Sequence, residues 1–386
     1  ARMEDMMLES ALYQEDLKKI NEAVFSWGEL EQKNILITGG TGLIGSCLVD
    51  VLIFRNEHLG AHIGIWVLCR NEARAKEVFG EYLEKEYLHL IVQDISEPLL
   101  PESFKRCVQS TSGLLLQDVP ETMDYIIHAA SKGDPGSFVT DPLGVMNANV
   151  LGMHWLLEYA KRTKTTKILY LSSGEAYGKV DLPDDIPISE TMTGLLDSLN
   201  VRNCYGISKR AAETMCVSAA SEYQVPVCIA RLCHIYGPTM TTGESRVIFQ
   251  FLRKALDQEE IVLKSEGLQK RSYCYVADAA AALFTILFRG VPGEAYNVSN
   301  EKSVVTIRGL AEILGSYAGS GVKYEQQTES ERRGNSGIMH AVLDNQKLLE
   351  LGAHMEYDME AGLKQTLEIM KEQEDGKRNR DCHMQL

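Results

Sequence analysis

The sequence predicts an α/β fold, a doubly wound parallel sheet with helices on both faces. Three observations carry this reading. Short, almost purely apolar runs recur along the chain, and the stretches between them show the 3.6-residue periodicity of amphipathic helices. The first run gives way at once to glycines, in Thr38-Gly39-Gly40-Thr41-Gly42-Leu43-Ile44-Gly45, and then to a helical pattern. Continuous apolar strands suit a sheet buried on both faces, and strands alternating with helices are joined by parallel crossovers.

Residues 1–30 read as a helical extension laid on the outside of the sheet, with Leu8, Leu12, Leu17, Ile20, Val24 and Phe25 on one face. Strands are predicted at Ile35–Thr38, Ile65–Cys69, Leu88–Val92, Tyr125–His128, Ile168–Leu171, Val227–Arg231 and Ala295–Val298. Helices are predicted at Ile44–Phe54, Glu72–Tyr87, Val150–Arg162 and from Tyr205 to about Tyr223. Residues 31–231 are assigned mainly to the sheet domain, with 178–200 contributing to a smaller α/β lobe. Residues 232–371 form mainly that lobe, a substrate-binding one built from C-terminal excursions, with 271–298 returning to the sheet domain. From Glu372 to residue 386 the chain is charged and aperiodic, and reads as a disordered tail.

Bulk composition narrows the function. Lys+Arg 39 against Asp+Glu 54 gives a net charge of −15, which repels nucleic acid and anionic membranes. The nine cysteines include no C-x-x-C pair and no metal-ligand spacing, so reduced thiols and no metal are expected. No basic segment leads into an apolar run at the N-terminus, and nowhere are there about 18 consecutive apolar residues. The expectation is a cytoplasmic, soluble protein.

Chemistry concentrates in three places. Gly39, Gly42 and Gly45 lie three apart between a strand and a helix. The first suits a sharp turn, the second a close approach of backbone to a pyrophosphate, and the third tight packing of helix on sheet. The phosphates then meet the unpaired N–H groups of the helix N-terminus. Tyr205 and Lys209, four apart in Y-G-I-S-K, share one helix face. That spacing suits an acid–base pair in which the ammonium lowers the phenol pKa toward neutrality. Ser172 and Ser173 end a predicted strand at the carboxyl edge of the sheet, where ligands bind, with Glu175 close behind as a second acid or base.

In chain order the sequence carries T-G-G-T-G-L-I-G, H-A-A-S at 128–131, L-S-S-G-E-A-Y-G at 171–178, Y-G-I-S-K from Tyr205, R-L-C-H-I-Y-G-P from Arg231 and R-S-Y-C-Y-V-A-D from Arg271. This ordered set resembles the extended short-chain dehydrogenase/reductases, the nucleotide-sugar epimerases, dehydratases and decarboxylases, over roughly residues 33–315. The resemblance implies a Rossmann-like cofactor domain, a nucleotide-sugar lobe and a homodimer formed through the helices near 150–162 and 205–223. It implies catalysis by Ser173, Glu175, Tyr205 and Lys209. Cofactor binding falls to Gly39, Thr41, Gly42, Leu43, Ile44, Gly45, Arg70, Asn71, Asp94, Ile95, Ala129 and Ala130, again with Tyr205 and Lys209. Substrate contacts fall to Ser131, Ser173, His234, Arg246, Val247 and Arg271, the last holding a diphosphate.

Within the family, residues 237–247 and 267–278 look most like UDP-glucuronate decarboxylases, and Glu175 matches a carboxylate these share with the 4,6-dehydratases. Three positions depart from the patterns. Gly174 stands where many dehydratases have an aspartate, His234 replaces the usual asparagine, and Thr239 replaces an arginine common in the decarboxylases. A 4,6-dehydratase or an epimerase therefore stays open beside a decarboxylase, as does an inactive sugar-nucleotide-binding protein. NAD is the expected cofactor. NADP stays open because Arg70 stands where an acidic residue would meet the ribose 2′-hydroxyl, with Arg74 one turn further.

Overall fold

The computed structural model describes residues 7–99, 120, 122–183, 186–241, 243–319, 321–326 and 339–384, with side chains as far as 376. Residues 1–6 of the expected extension, residues 184–185 of the 178–200 excursion and Cys107 lie outside the described residues.

In chain order the strands are β1 (Asn34–Thr38), β2 (Gly64–Cys69), β3 (Leu88–Val92), β4 (Tyr125–His128), β5 (Lys167–Ser173), β6 (Val227–Leu232), β7 (His234–Tyr236), β8 (Ile261–Leu263), β9 (Lys270–Tyr275), β10 (Ala295–Val298), β11 (Val304–Thr306), β12 (Val322–Tyr324) and β13 (His340–Ala341). Seven of them form one sheet in the order β10-β6-β5-β4-β1-β2-β3, every pair parallel. The chain winds outward through β2 and β3, then returns to the other side of β1 as β4. That reversal opens a crevice at the carboxyl ends of β1 and β4, the place where a doubly wound sheet binds its ligand.

Alternation along β1 sorts its side chains between two cores. Ile35 and Ile37 pack with the helices Leu43–Leu59 and Val276–Arg289, and Leu36 packs with the helices Pro142–Thr163 and Cys204–Tyr223. A second sheet is built on β9, which pairs with β11, β13 and β7, while β8 and β12 form a separate parallel pair.

The structure corrects several boundaries. The helix expected over Glu72–Tyr87 stops at Phe79, because Gly80 turns to a φ of 47° and a 3-10 turn follows. The helix expected from Val150 begins at Pro142. Asp141 caps it by accepting from Gly144 N at 3.1 Å, and proline occupies the first turn, where no N–H is needed. Arg271 to Tyr275 belong to the second sheet, so the chain rejoins the main layer only with the helix Val276–Arg289. Phe25, expected on the buried face, is exposed, since the first helix, Ala11–Ala23, ends before it.

The expected tail is also helical. The helix Met359–Met384 continues through Glu372, whose carboxylate accepts a hydrogen bond from Ser10 Oγ at 2.7 Å. Lys, Glu and Gln are good helix formers, and an exposed helix needs no apolar stripe. The first helix is anchored by polar bonds as well as packing. Tyr13 Oη donates to Asp50 Oδ2 at 2.8 Å, and Tyr275 Oη donates to Asp16 Oδ2 at 2.6 Å.

Candidate active site

The glycine loop closes the carboxyl end of β1. Gly39 has a φ of 69°, and a Cβ there would lie 2.7 Å from the backbone of Ala130, so the loop and the start of the β4 exit segment touch directly. Gly45 is equally constrained, since its Cβ would fall 2.3 Å from Gly39 O. Gly42 differs, because a Cβ there would meet only Gly39 O, at an ordinary 3.5 Å. It is the N-cap of the helix Leu43–Leu59 and makes no side-chain capping bond, which leaves Thr41, Leu43 and Ile44 around an uncapped, electropositive helix end. Thr38 Oγ1 bonds His128 Nδ1 at 2.7 Å and accepts from Ala130 N at 3.2 Å, tying β1 to the Ala129-Ala130-Ser131 segment.

Tyr205 and Lys209 project from the helix Cys204–Tyr223 toward this segment. The phenol of Tyr205 lies within electrostatic reach of Ser173 and Ser131, and its ring stacks on Phe138 at 4.6 Å with an interplanar angle of 13°. Ser173 caps the 3-10 turn Gly174–Tyr177, accepting from Glu175 N at 3.2 Å. Lys209 is buried, with Nζ donating to Leu171 O at 2.6 Å and lying 5.7 Å from the centre of the Tyr205 ring.

Here the expected electrostatics needs correcting. Burial holds the Tyr205 phenol above its ordinary value. Ser173 opposes this, the Glu175 charge adds to it, and Arg246 and Ser131 oppose it. Burial also pushes Lys209 down to about 7, against the pull of Glu213. In this desolvated corner the protein alone does not bring the phenol toward neutrality.

Across the cleft, the lobe supplies cations. Arg271 lies on β9, is buried, and donates through Nη1 to Lys270 O at 3.0 Å and Met339 O at 3.2 Å. Arg246 precedes the helix Val247–Leu256 and forms a bidentate pair with Glu244 at 2.9 and 2.8 Å. His234 is held neutral, pushed down to about 3 by burial and then by Arg271 and Arg246. Val247 is the first, exposed residue of its helix.

At the other end of the crevice, Arg70 lies 3.9 Å from Asp94, which also accepts from Ser96 N at 2.9 Å and Ser96 Oγ at 2.7 Å. Asn71 caps the helix Glu72–Phe79 by accepting from Arg74 N at 3.0 Å, and Arg74 bonds Glu77 at 3.1 Å. Ile95 is buried, and a Cβ on Gly152 would meet its side chain at 3.0 Å.

Several supporting residues escaped the sequence reading. Ser131 Oγ donates to Asn149 Oδ1 at 2.8 Å, Asn149 Nδ2 donates to Ser208 Oγ at 2.9 Å, and Ser208 Oγ donates to Tyr205 O at 3.0 Å. This chain of bonds joins the β4 exit to the Tyr205 helix. Asp134 accepts from Ser245 N at 3.3 Å and from Ser245 Oγ, a clasp between the sheet domain and the lobe. Buried Asn149, amid apolar helix residues, was the one visible signal. Among the described residues no group of three His, Cys, Asp or Glu is placed to hold a metal ion, no helix is long and apolar enough to cross a membrane, and all seven cysteines are free.

Fold and cleft define a Rossmann-like α/β enzyme with a two-part site. The model of the NAD dependent epimerase/dehydratase family matches residues 35–299, and the chain belongs to that family. It is 29% identical over 348 residues to UDP-glucuronic acid decarboxylase 1 of Xenopus tropicalis, covering 89% of this chain and 74% of that one. It is 31% identical over 253 residues to UDP-glucuronic acid decarboxylase 3 of Arabidopsis thaliana, covering 66% of each. Among solved structures, the UDP-glucose 4-epimerase of Thermotoga maritima with UDP-glucose superposes with a TM-score of 0.70 at 25% identity, over 88% of this chain and 98% of that one. The family resemblance read from the ordered motifs is thereby borne out.

Proposed function

We propose that the chain is a UDP-glucuronate decarboxylase that begins by oxidising the C4 hydroxyl of its substrate with bound NAD. One observation carries the reading. The Tyr205 phenol stands in the crevice behind the glycine loop, where a Cβ on Gly133 would lie 3.5 Å from its Oη, within electrostatic reach of Ser173, Glu175 and Ser131 on its own side and of Arg246 from the lobe. A ligand reaching from the uncapped helix end to the lobe arginines would pass its reacting carbon beside Tyr205. The decarboxylase relatives favour glucuronate as the sugar.

The loop fits a dinucleotide, because among the described residues a Cβ on Gly42 would meet only Gly39 O, at 3.5 Å, and the helix N-terminus there carries no side-chain cap. Held at that loop, NAD would supply reversible hydride transfer at C4. Tyr205 takes the C4 hydroxyl proton, with Ser173 orienting that oxygen and Lys209 beside the phenol. The C4 ketone turns the C6 carboxylate into that of a β-keto acid. Breaking the C5–C6 bond releases CO₂ and leaves the electron pair delocalised from C5 onto the C4 oxygen, and a proton then returns to C5. Glu175 is the acid or base for that stage, and Arg271 with Arg246 holds the diphosphate.

Asp94, 3.9 Å from Arg70, sets a carboxylate against a 2′-phosphate and so favours NAD over NADP. We infer a homodimer through the helices Pro142–Thr163 and Cys204–Tyr223, which leave Leu143, Leu151, Val217 and Tyr223 exposed. A 4,6-dehydratase is the weaker reading, since Gly174 offers no acid for a departing C6 hydroxyl. Incubation of the purified protein with UDP-glucuronate tests the proposal. CO₂ and a UDP-pentose are expected, and the absence of both rejects it.

A further inference from the structure

We propose that Arg202 is a positioning residue, holding the Glu175 carboxylate in place beside Tyr205 and countering its charge there. The proposal deepens the reading of Glu175 as an acid or base and rests on it.

Arg202 lies in the 3-10 turn Val201–Asn203, which leads directly into the helix Cys204–Tyr223. Asn200 Oδ1 accepts from Arg202 N at 3.0 Å and pins that turn. The side chain then serves two neighbours. Its Nη1 lies 3.9 Å from Glu175 Oε2, and its guanidinium carbon sits 4.9 Å from the centre of the Phe138 ring. Phe138 is buried and also stacks on Tyr205, so Arg202 and Tyr205 share one aromatic support. A planar guanidinium can pair and stack at once, whereas an ammonium keeps only the charge.

Stability alone does not account for this pair. An ion pair as long as 3.9 Å, with side chains 26% and 35% exposed, contributes little to folding. Its position matters more. Burial raises the Tyr205 phenol, Ser173 opposes it, Glu175 adds to the rise, and Arg246 and Ser131 oppose it. Glu175 therefore needs a counter-charge if it is to work next to a phenol that must ionise, and Arg202 supplies one from the turn that leads into the Tyr205 helix. Glu175 also acts on Arg271 across the cleft, so an untethered carboxylate would be drawn toward the lobe.

Two readouts on the full chain loaded with NAD test the inference. The first needs no substrate. Tyr205 ionisation is followed as tyrosinate absorbance, each variant minus its Tyr205→Phe counterpart. Arg202→Gln should move it upward by about half a pH unit, Arg202→Lys by less, and the Arg202→Gln/Glu175→Gln double variant should lose the shift. The second is turnover of UDP-glucuronate. Arg202→Gln should lower kcat roughly tenfold with KM little changed, and in the Glu175→Gln background it should cost nothing more.

An unmoved phenol, or a shift that survives Glu175→Gln, overturns the inference, as does a rise in KM with kcat intact. If Arg202→Gln does not fold, Arg202→Lys and Glu175→Gln still decide it. A wild-type protein inert toward UDP-glucuronate removes the proposed function and leaves the titration to judge Arg202.

Discussion

The two sides of the cleft are built on different principles. On the sheet side, the glycine loop, Ser173, Tyr205 and Lys209 sit on the long regular elements of the main layer, and the loop packs so closely that a Cβ on Gly39 would lie 2.7 Å from the Ala130 backbone. On the lobe side, His234 sits on the three-residue strand β7, Arg246 just before a helix and Arg271 on β9, and the two arginines are held by side-chain bonds to carbonyls and to Glu244. One side is therefore suited to fixed geometry and the other to gripping charge. Damage to the first should appear in kcat and stability, and damage to the second in KM.

The largest effect should come from Tyr205→Phe, which lowers kcat roughly 10²–10⁴-fold while the purified protein keeps its cofactor. Undiminished turnover in a steady-state assay would move the chemistry away from the sheet side. Next, Gly39→Ala should cost about 2–4 kcal/mol in urea unfolding, because it combines a φ of 69° with a backbone clash. Gly42→Ala should leave unfolding unchanged and still strip the cofactor, as read by released nucleotide. Equal losses of stability in both would erase the distinction between the two glycines.

Arg271→Ala should raise KM by about one to two orders of magnitude and spare retained NAD, consistent with lost charge-assisted bonds. A fall in kcat alone would put Arg271 on the chemical side of the comparison.

The smallest effect is a pH slope. Folding lowers the Lys209 pKa to about 7, so the unfolded chain binds more protons between there and its ordinary value of about 10.4. Stability from this group is therefore least at low pH and rises across that window, by at most about 1.4 kcal/mol per pH unit. Lys209→Met should flatten the rise in denaturation midpoints measured from pH 6.5 to 9.

The same contrast explains what the sequence could reveal. Gly39, Gly45, Tyr205 and Lys209 were legible because strand, turn and helix periodicities dictate their spacing, as were all seven strands of the main sheet. Boundaries set by one residue, such as Gly80 or Asp141, blurred within longer periodic patterns. The helix through Glu372 was missed because charged residues give no apolar period. Asp134 and Arg202 were invisible, since their partners lie in other elements and no local spacing records them, and Asn149 showed only as a polar residue among apolar helix positions. The pKa argument for Tyr205 failed for a related reason, because spacing shows that Lys209 is near but not that both groups are desolvated.

Mass spectrometry of the product from purified protein and UDP-glucuronate tests the central claim most directly. A UDP-sugar lighter by one CO₂, absent with Tyr205→Phe, is the expected result. A product of unchanged mass, or one lighter by water, would contradict decarboxylation.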